Sequence, residues 1–94
     1  MQKQTFKSVF DAICDTPTEA ANMRLRADLM LHIHQMIQQN HWTQQQAAQH
    51  CGITQPRVND LIHGKIEKFS LDALVNINAE LGQKVSLQFE TILI

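Results

Sequence analysis

Side chains suited to recognising base pairs lie close together between Thr54, a candidate helix N-cap, and Gly64. Asn and Gln amides form paired hydrogen bonds with adenine, and an Arg guanidinium binds guanine or a phosphate. Gln55, Arg57 and Asn59 supply these groups at every second position. We therefore expect a DNA-contacting surface here. The alternative is a solvated polar face that binds nothing.

The same segment also carries an apolar face. At about 100° per residue of a helix, Val58, Leu61 and Ile62 share one inner sector. The residues that point away from this sector are Pro56, Asn59, Asp60 and His63. Asp60 is discordant, because phosphate repels a carboxylate. It either accepts a hydrogen bond from a cytosine amino group or tethers Arg57.

The distribution of charge matters more than the formal net charge of −1. Residues 41–69 contain Arg57, Lys65 and Lys68 against two carboxylates, a small positive excess between acidic stretches. Lys65 and Lys68 are expected to bind phosphates irrespective of base sequence.

The chain contains five histidines and two cysteines, Cys14 and Cys51. His32 and His34 are two residues apart, so they point to different faces of a helix and cannot bind one metal ion together. A Cys–His nucleophile pair is conceivable at Cys51, but its position before Gly52 favours a buried, inert thiol. The sequence also lacks a glycine-rich phosphate loop and a supported carboxylate pair, so we expect no metal, no cofactor and no enzymatic activity.

Length and composition indicate one small domain, residues 1–94, with 44% hydrophobic and 18% charged residues. Its longest apolar runs span three or four residues, far short of the ~18 that a membrane helix needs. No signal-peptide pattern follows Lys3 and Lys7. We expect a cytoplasmic protein in which Cys14 and Cys51 are free thiols or form one disulfide.

Apolar periodicity and capping residues predict the helices that would position these groups. They cover residues 5–14, 17–39, 44–51, 55–63 and 71–81. Thr16 and Thr43 each begin a helix with the pattern of a capping box. Arg26 lies in the apolar arc of the long helix, so we expect its stem to pack and its head to reach Asp11 or Glu80.

The period changes after Lys84. Val85, Leu87 and Phe89 alternate with polar residues, which predicts a strand over residues 84–90. A single strand has no partner within its own chain, so we expect it to pair with a second copy.

The segment TQQQAAQHCGITQPRVNDLIHGK, residues 43–65, places Gly52 between two short helices and a small Ala48 four residues earlier. Val58 and Leu61 follow at a spacing that closes a shared core. The segment resembles the Cro/C1-type (XRE) helix-turn-helix, with its core motif over 43–64. The wider span, 5–90, resembles the HigA-type antitoxin branch of that family. This wider likeness lies in DTPTEAANMRLR at 15–26, TQPRV at 54–58 and GKIEKFSLDAL at 64–74.

The predicted helices and strand together with this resemblance give the expected fold, an all-α, five-helix Cro/C1-type domain with a short C-terminal dimerisation strand. The resemblance further implies a homodimer that represses a palindromic operator on double-stranded DNA. By the same resemblance, Gln44 would touch a phosphate, and Gln55, Pro56, Arg57 and Asn59 would face base edges. The full set of expected DNA-binding residues is Gln44, Thr54, Gln55, Pro56, Arg57, Asn59, His63, Lys65 and Lys68. The expected dimer residues are Val85, Leu87 and Phe89.

The resemblance also implies a protein partner, a HigB-like (RelE-type) ribonuclease toxin neutralised by direct contact. We expect that contact on helix 5–14 and on the outer face of helix 17–39, where Leu31 lies outside the apolar arc. Acidic residues there would suit a basic, RNA-binding partner; they are Asp11, Asp15, Glu19 and Asp28. The alternatives are a stand-alone regulator without a toxin and an interaction module that binds no DNA.

Overall fold

The computed structural model describes residues 16–92, which form four α-helices and one 3-10 turn. In chain order, α1 is Pro17–Gln39, α2 is Gln44–Cys51, α3 is Gln55–Ile62 and α4 is Leu71–Glu80, and the 3-10 turn Ile66–Lys68 precedes α4. These bounds agree with four of the five predicted helices to within one residue. The fifth, 5–14, lies outside the described residues. The described chain is therefore all-α.

Local side-chain bonds determine where α1 and α2 begin. The Thr16 hydroxyl accepts a hydrogen bond from the Glu19 N–H at 3.1 Å. Thr43 and Gln46 form the complete reciprocal box: the Gln46 N–H donates to the Thr43 hydroxyl at 3.1 Å, and the Thr43 N–H donates to Gln46 Oε1 at 2.9 Å. Each bond satisfies a backbone group that the first helical turn leaves without a partner.

The long helix α1 is amphipathic. Its buried residues are Ala20, Ala27, Met30, Ile33 and Ile37. Leu31 is exposed, as its position outside the apolar arc predicts, and Leu25 is exposed as well. Among residues 16–92, no helix is both long and apolar enough to cross a membrane.

The core lies where α1 packs against α4, α3 and the 3-10 turn, and where α2 closes against α3 and α4. Its largest apolar members have almost no exposed surface; they are Ile33, Val58, Leu61, Phe69 and Leu74. Val58 and Leu61 bring α3 into this core by one face only. The orientation of α3 is therefore set, and its opposite face is left at the surface.

The expected strand at 84–90 is not formed in the described chain. Residues 83–92 have no regular secondary structure, and Val85, Leu87 and Phe89 are all exposed, Phe89 by 89%. A strand is defined by hydrogen bonds to a neighbour, and residues 16–92 of one chain contain no other strand. The alternating pattern thus predicts a strand, but residues 16–92 of a single chain contain no second strand with which it could pair.

Candidate nucleic-acid interface

The α2–turn–α3 unit is built around Gly52, which takes a left-handed backbone conformation with φ of 71°. Only glycine adopts this region at no steric cost. The Ile53 N–H then donates to the Ala48 carbonyl at 3.1 Å, which closes the end of α2. Ala47 and Ala48 are both buried, and their small side chains allow the helices to approach closely. This is the helix-turn-helix arrangement that the sequence predicts.

The two faces of α3 divide as expected. Val58 and Leu61 are buried, whereas Gln55 and Pro56 are exposed and Asn59 is half-buried. Within the described residues, the side-chain amides of Gln55 and Asn59 form no hydrogen bond. Their donors and acceptors therefore remain available to a ligand, and base pairs in a major groove require such groups.

Thr54 is the N-cap of α3 by its backbone, but its hydroxyl accepts no capping hydrogen bond. The prediction that Thr54 is the N-cap is therefore confirmed for its backbone, without the side-chain hydrogen bond that Thr43 makes. Pro56 removes one amide that such a hydroxyl would normally satisfy. The hydroxyl is left exposed at the N-terminal end of α3.

The Arg57 side chain packs against residues that follow α3 in the chain. Its guanidinium carbon is 4.4 Å from the centre of the Phe69 ring. One of its nitrogens donates to the Lys68 carbonyl at 3.3 Å. The side chain thus turns toward the segment after α3, although the sequence alone suggests a base-contacting flank.

We call residues 64–69 the basic loop, because they carry Lys65 and Lys68 directly after α3. The loop begins with a Schellman motif, in which the Gly64 N–H donates to the Leu61 carbonyl and the Lys65 N–H to the Asp60 carbonyl. Lys65 also forms an ion pair with Asp60 at 3.5 Å. Asp60 therefore pairs with Lys65. It does not form the suggested tether to Arg57, whose guanidinium binds the Lys68 carbonyl instead.

Arg26 reaches the basic loop from α1. Its terminal nitrogen donates to the Ile66 and Phe69 carbonyls, each at 3.3 Å. Of the two carboxylates expected as partners of Arg26, Glu80 is not bonded to it, and Asp11 lies outside the described residues. Apolar periodicity predicts that the Arg26 stem packs against the core. It cannot predict that the guanidinium binds main-chain carbonyls some forty residues away. An Arg within an apolar arc was the only available signal.

His63 and Gln44 lie at opposite ends of the unit. His63 Nδ1 donates to the Asn59 carbonyl at 2.8 Å, which orients the ring at the C-terminal end of α3. Gln44 is the exposed first residue of α2. The free N–H groups of a first helical turn attract anions, so this position suits a phosphate. Lys68 is exposed on the basic loop.

This arrangement agrees with an independent comparison of the whole chain. A family profile described as a helix-turn-helix domain matches residues 12–90, most of the sequence. The chain belongs to this helix-turn-helix family. No curated protein matches it significantly. Helix-turn-helix domains use the second helix of the motif to contact DNA, so DNA binding is the general function that membership supports.

Within this helix-turn-helix domain, Cys51 is a core residue. It is almost fully buried beside the turn, and burial raises the pKa of its thiol to about 11. A thiol that stays protonated at neutral pH is a poor nucleophile and a poor metal ligand. Residues 16–92 also bring no three metal-binding side chains together.

One aromatic contact was not anticipated from the sequence. The Trp42 ring stacks on His50 with 4.0 Å between ring centres. It joins the residue before the Thr43 cap to the last turn of α2, and Trp42 also packs against the core. The contact stabilises the first helix of the motif from outside.

Proposed function

We propose that this helix-turn-helix protein is a sequence-specific transcriptional repressor that places the N-terminal half of α3 in the major groove of duplex DNA. The observation that carries the proposal is the pair of unpartnered amides, Gln55 and Asn59, on the outer side of a helix whose inner side is buried. Pro56 lies between them on the exposed side and would contact a base edge by its apolar ring.

The remaining residues would bind the DNA backbone. Gln44 would contact one phosphate at the start of α2, and the Thr54 hydroxyl another at the start of α3. His63, Lys65 and Lys68 would contact phosphates beyond the other end of α3. Contacts at both ends fix the register of a helix in the groove, while base contacts supply specificity.

The test is selection of bound sequences from a random pool of duplexes, followed by titration of one selected and one scrambled duplex at several salt concentrations. We expect a selected motif, and an affinity for it at least about a thousandfold above that for scrambled DNA. Equal affinity for both duplexes, or no binding at low salt, would reject the repressor proposal. The second of these results would favour an interaction module.

We also infer a homodimer on a palindromic operator. Val85, Leu87 and Phe89 alternate along an exposed segment that has no strand partner in residues 16–92. Antiparallel pairing of two such segments would satisfy both backbones and bury the apolar side chains. Two motifs related by a two-fold axis then bind half-sites about one helical turn apart.

Removal of residues 84–94 tests the dimer. We expect the truncated chain to sediment as a monomer and to lose most of its operator affinity. A triple variant, Val85→Ser, Leu87→Ser and Phe89→Ser, should behave in the same way, with Lys84→Ser as its control. If either altered protein remained a dimer, the interface would lie elsewhere.

The antitoxin role rests chiefly on the resemblance to HigA-type proteins. The described part of its proposed surface is the outer face of α1, where Leu31 is exposed, and Glu19 and Asp28 are exposed on the same helix. A HigB-like ribonuclease needs a basic cleft for RNA, and an acidic, partly apolar face would be steered to it. A stand-alone regulator remains the alternative function.

Co-expression with the neighbouring reading frame separates these two roles. If that frame encodes a toxin, the parent chain should restore growth, and Leu31→Asp should restore it less well while binding operator normally. Glu67→Asp, a conservative change on an exposed residue far along the chain, is the control. Failure of any neighbouring product to co-purify would leave the stand-alone regulator.

A further inference from the structure

Three main-chain carbonyls of the basic loop accept hydrogen bonds from two arginines outside it. No backbone N–H in residues 16–92 donates to the carbonyls of Lys68 or Phe69. Carbonyl groups near a protein interior need partners. Arg57 supplies one to Lys68 at 3.3 Å, and Arg26 supplies one to Phe69 at 3.3 Å.

The two guanidinium groups hold the turn from two sides. Arg26 comes from α1 and also bonds to the Ile66 carbonyl at 3.3 Å, so it spans both ends of the 3-10 turn. Arg57 comes from α3 and lies over the buried Phe69 ring at 4.4 Å. Arg57 binds the carbonyl of the exposed Lys68 itself, and Arg26 binds the carbonyls of Ile66 and Phe69 on either side of it.

We propose that Arg26 and Arg57 are positioning residues that hold the basic loop in place for phosphate contact, and that Arg57 does not contact a base. The inference rests on the proposed DNA binding. The loop displays Lys68 at a constant place relative to α3, because one arginine comes from α3 itself and the other from the core helix that α3 packs against. A preorganised lysine loses less conformational freedom when it meets a phosphate.

The sharpest test is a double-mutant cycle with Arg26→Met and Lys68→Ala. If Arg26 acts through Lys68, the DNA affinity of the double variant should equal that of whichever single variant binds DNA less tightly. If Arg26 contacts DNA itself, the two losses should multiply, which would overturn the proposal. Arg26→Met paired with Gln44→Ala is the matched cycle, and its losses should multiply because Gln44 lies at the other end of the unit.

Arg57→Met tests whether Arg57 contacts a base. The methionine side chain still covers Phe69, but the cation and the hydrogen bond to the Lys68 carbonyl are lost. We expect affinity to fall by the same factor on selected and scrambled duplexes. A loss confined to one base pair of the selected site would show that Arg57 contacts a base, and that part of the proposal would be wrong.

The control for both arginines is Arg24→Met. Arg24 lies on α1 two residues before Arg26 and donates no hydrogen bond to the basic loop within the described residues. Its removal changes the net charge equally, so it should reproduce only the general electrostatic loss. If Arg24→Met weakened binding as much as Arg26→Met, charge alone would explain the effect.

Amide hydrogen exchange supplies a readout that needs no DNA. Arg26→Met and Arg57→Met should each accelerate exchange of the Lys68 and Phe69 amides by about tenfold, with little change in α2. If the parent binds no duplex, the function proposal fails while this measurement still tests the two arginines. Unchanged exchange would overturn their positioning role. Should Arg26→Met fail to fold, the same tests on Arg57→Met decide the matter.

Discussion

Helix α3 and the basic loop adjoin in sequence, yet different forces hold them. The position of α3 follows from its own pattern: Val58 and Leu61 are buried, and Gly52 sets the turn before it. The basic loop has one fully buried residue, Phe69, and a few local backbone hydrogen bonds. Arg26 and Arg57 hold it through bonds to main-chain carbonyls. One region is specified by local spacing and the other by contacts distant in sequence.

This difference has a functional consequence. The side chains of Gln55, Pro56 and Asn59 on the outer side of α3 form no hydrogen bond within the described residues, so we expect them to change freely without loss of the fold. A loop held by side-chain bonds is sensitive to substitutions far from any DNA. We therefore expect specificity to depend on α3 alone, and phosphate affinity to depend also on the core.

The largest effect should come from Phe69→Ala, since Phe69 joins the two regions. This ring is fully buried and also supports Arg57. Its removal leaves a cavity that should lower the free energy of unfolding by about 3–5 kcal/mol. Urea denaturation followed by circular dichroism measures the change. The control is Leu25→Ala at an exposed position, which should stay within about 0.5 kcal/mol; equal effects would contradict the assigned core.

The next effect concerns pH and the Cys51 thiol. Its pKa is about 11 in the folded chain against an ordinary value of 9.0. Between these values the unfolded chain has lost the proton and the folded chain retains it. Stability should therefore fall as pH rises from about 9 to 11, by up to about 3 kcal/mol. Urea denaturation of the parent and of Cys51→Ala across this range isolates the effect, because the variant lacks it. Parallel curves would contradict the burial of the thiol.

On DNA, Asn59→Ala and Lys68→Ala should separate the two regions. Asn59→Ala should lose about 1–3 kcal/mol on the selected duplex and little on scrambled DNA. Lys68→Ala should weaken binding to both and reduce the salt slope by about one. Fluorescence anisotropy at several salt concentrations measures both, with the exposed Asn76→Ala on α4 as control. If Lys68→Ala lowered affinity for the selected duplex only, the basic loop would also contribute to specificity, and the proposed difference between the two regions would be wrong.

The smallest expected effect is on stability, and it comes from replacing the two threonines at helix N-termini. Thr43→Ala removes a capping hydrogen bond and should cost about 1 kcal/mol of stability. Thr54→Ala removes a hydroxyl that makes no such bond, so its cost should be much smaller. It should instead weaken DNA binding. Thermal unfolding and anisotropy give the two readouts, and a larger stability loss at Thr54 would show that its hydroxyl does cap α3.

Much of the fold could be predicted from residue spacing. The helices α1 to α4 were predicted to within one residue, because apolar periodicity and the caps at Thr16 and Thr43 act over three or four positions. The exposed face of α3 followed from the same geometry. These features depend on neighbours in sequence, so the sequence contains the information directly.

The tertiary structure decided what distant residues do. Only the packed chain shows that Arg26 and Arg57 bind carbonyls of the basic loop, that Asp60 pairs with Lys65, and that the Thr54 hydroxyl makes no capping hydrogen bond. The strand pattern at 84–90 stayed unformed, because a strand also needs a partner. The sequence by itself determined which faces are apolar and where helices begin and end, since both follow from local geometry. The targets of long polar side chains were decided by packing, which brings together groups that no periodicity relates.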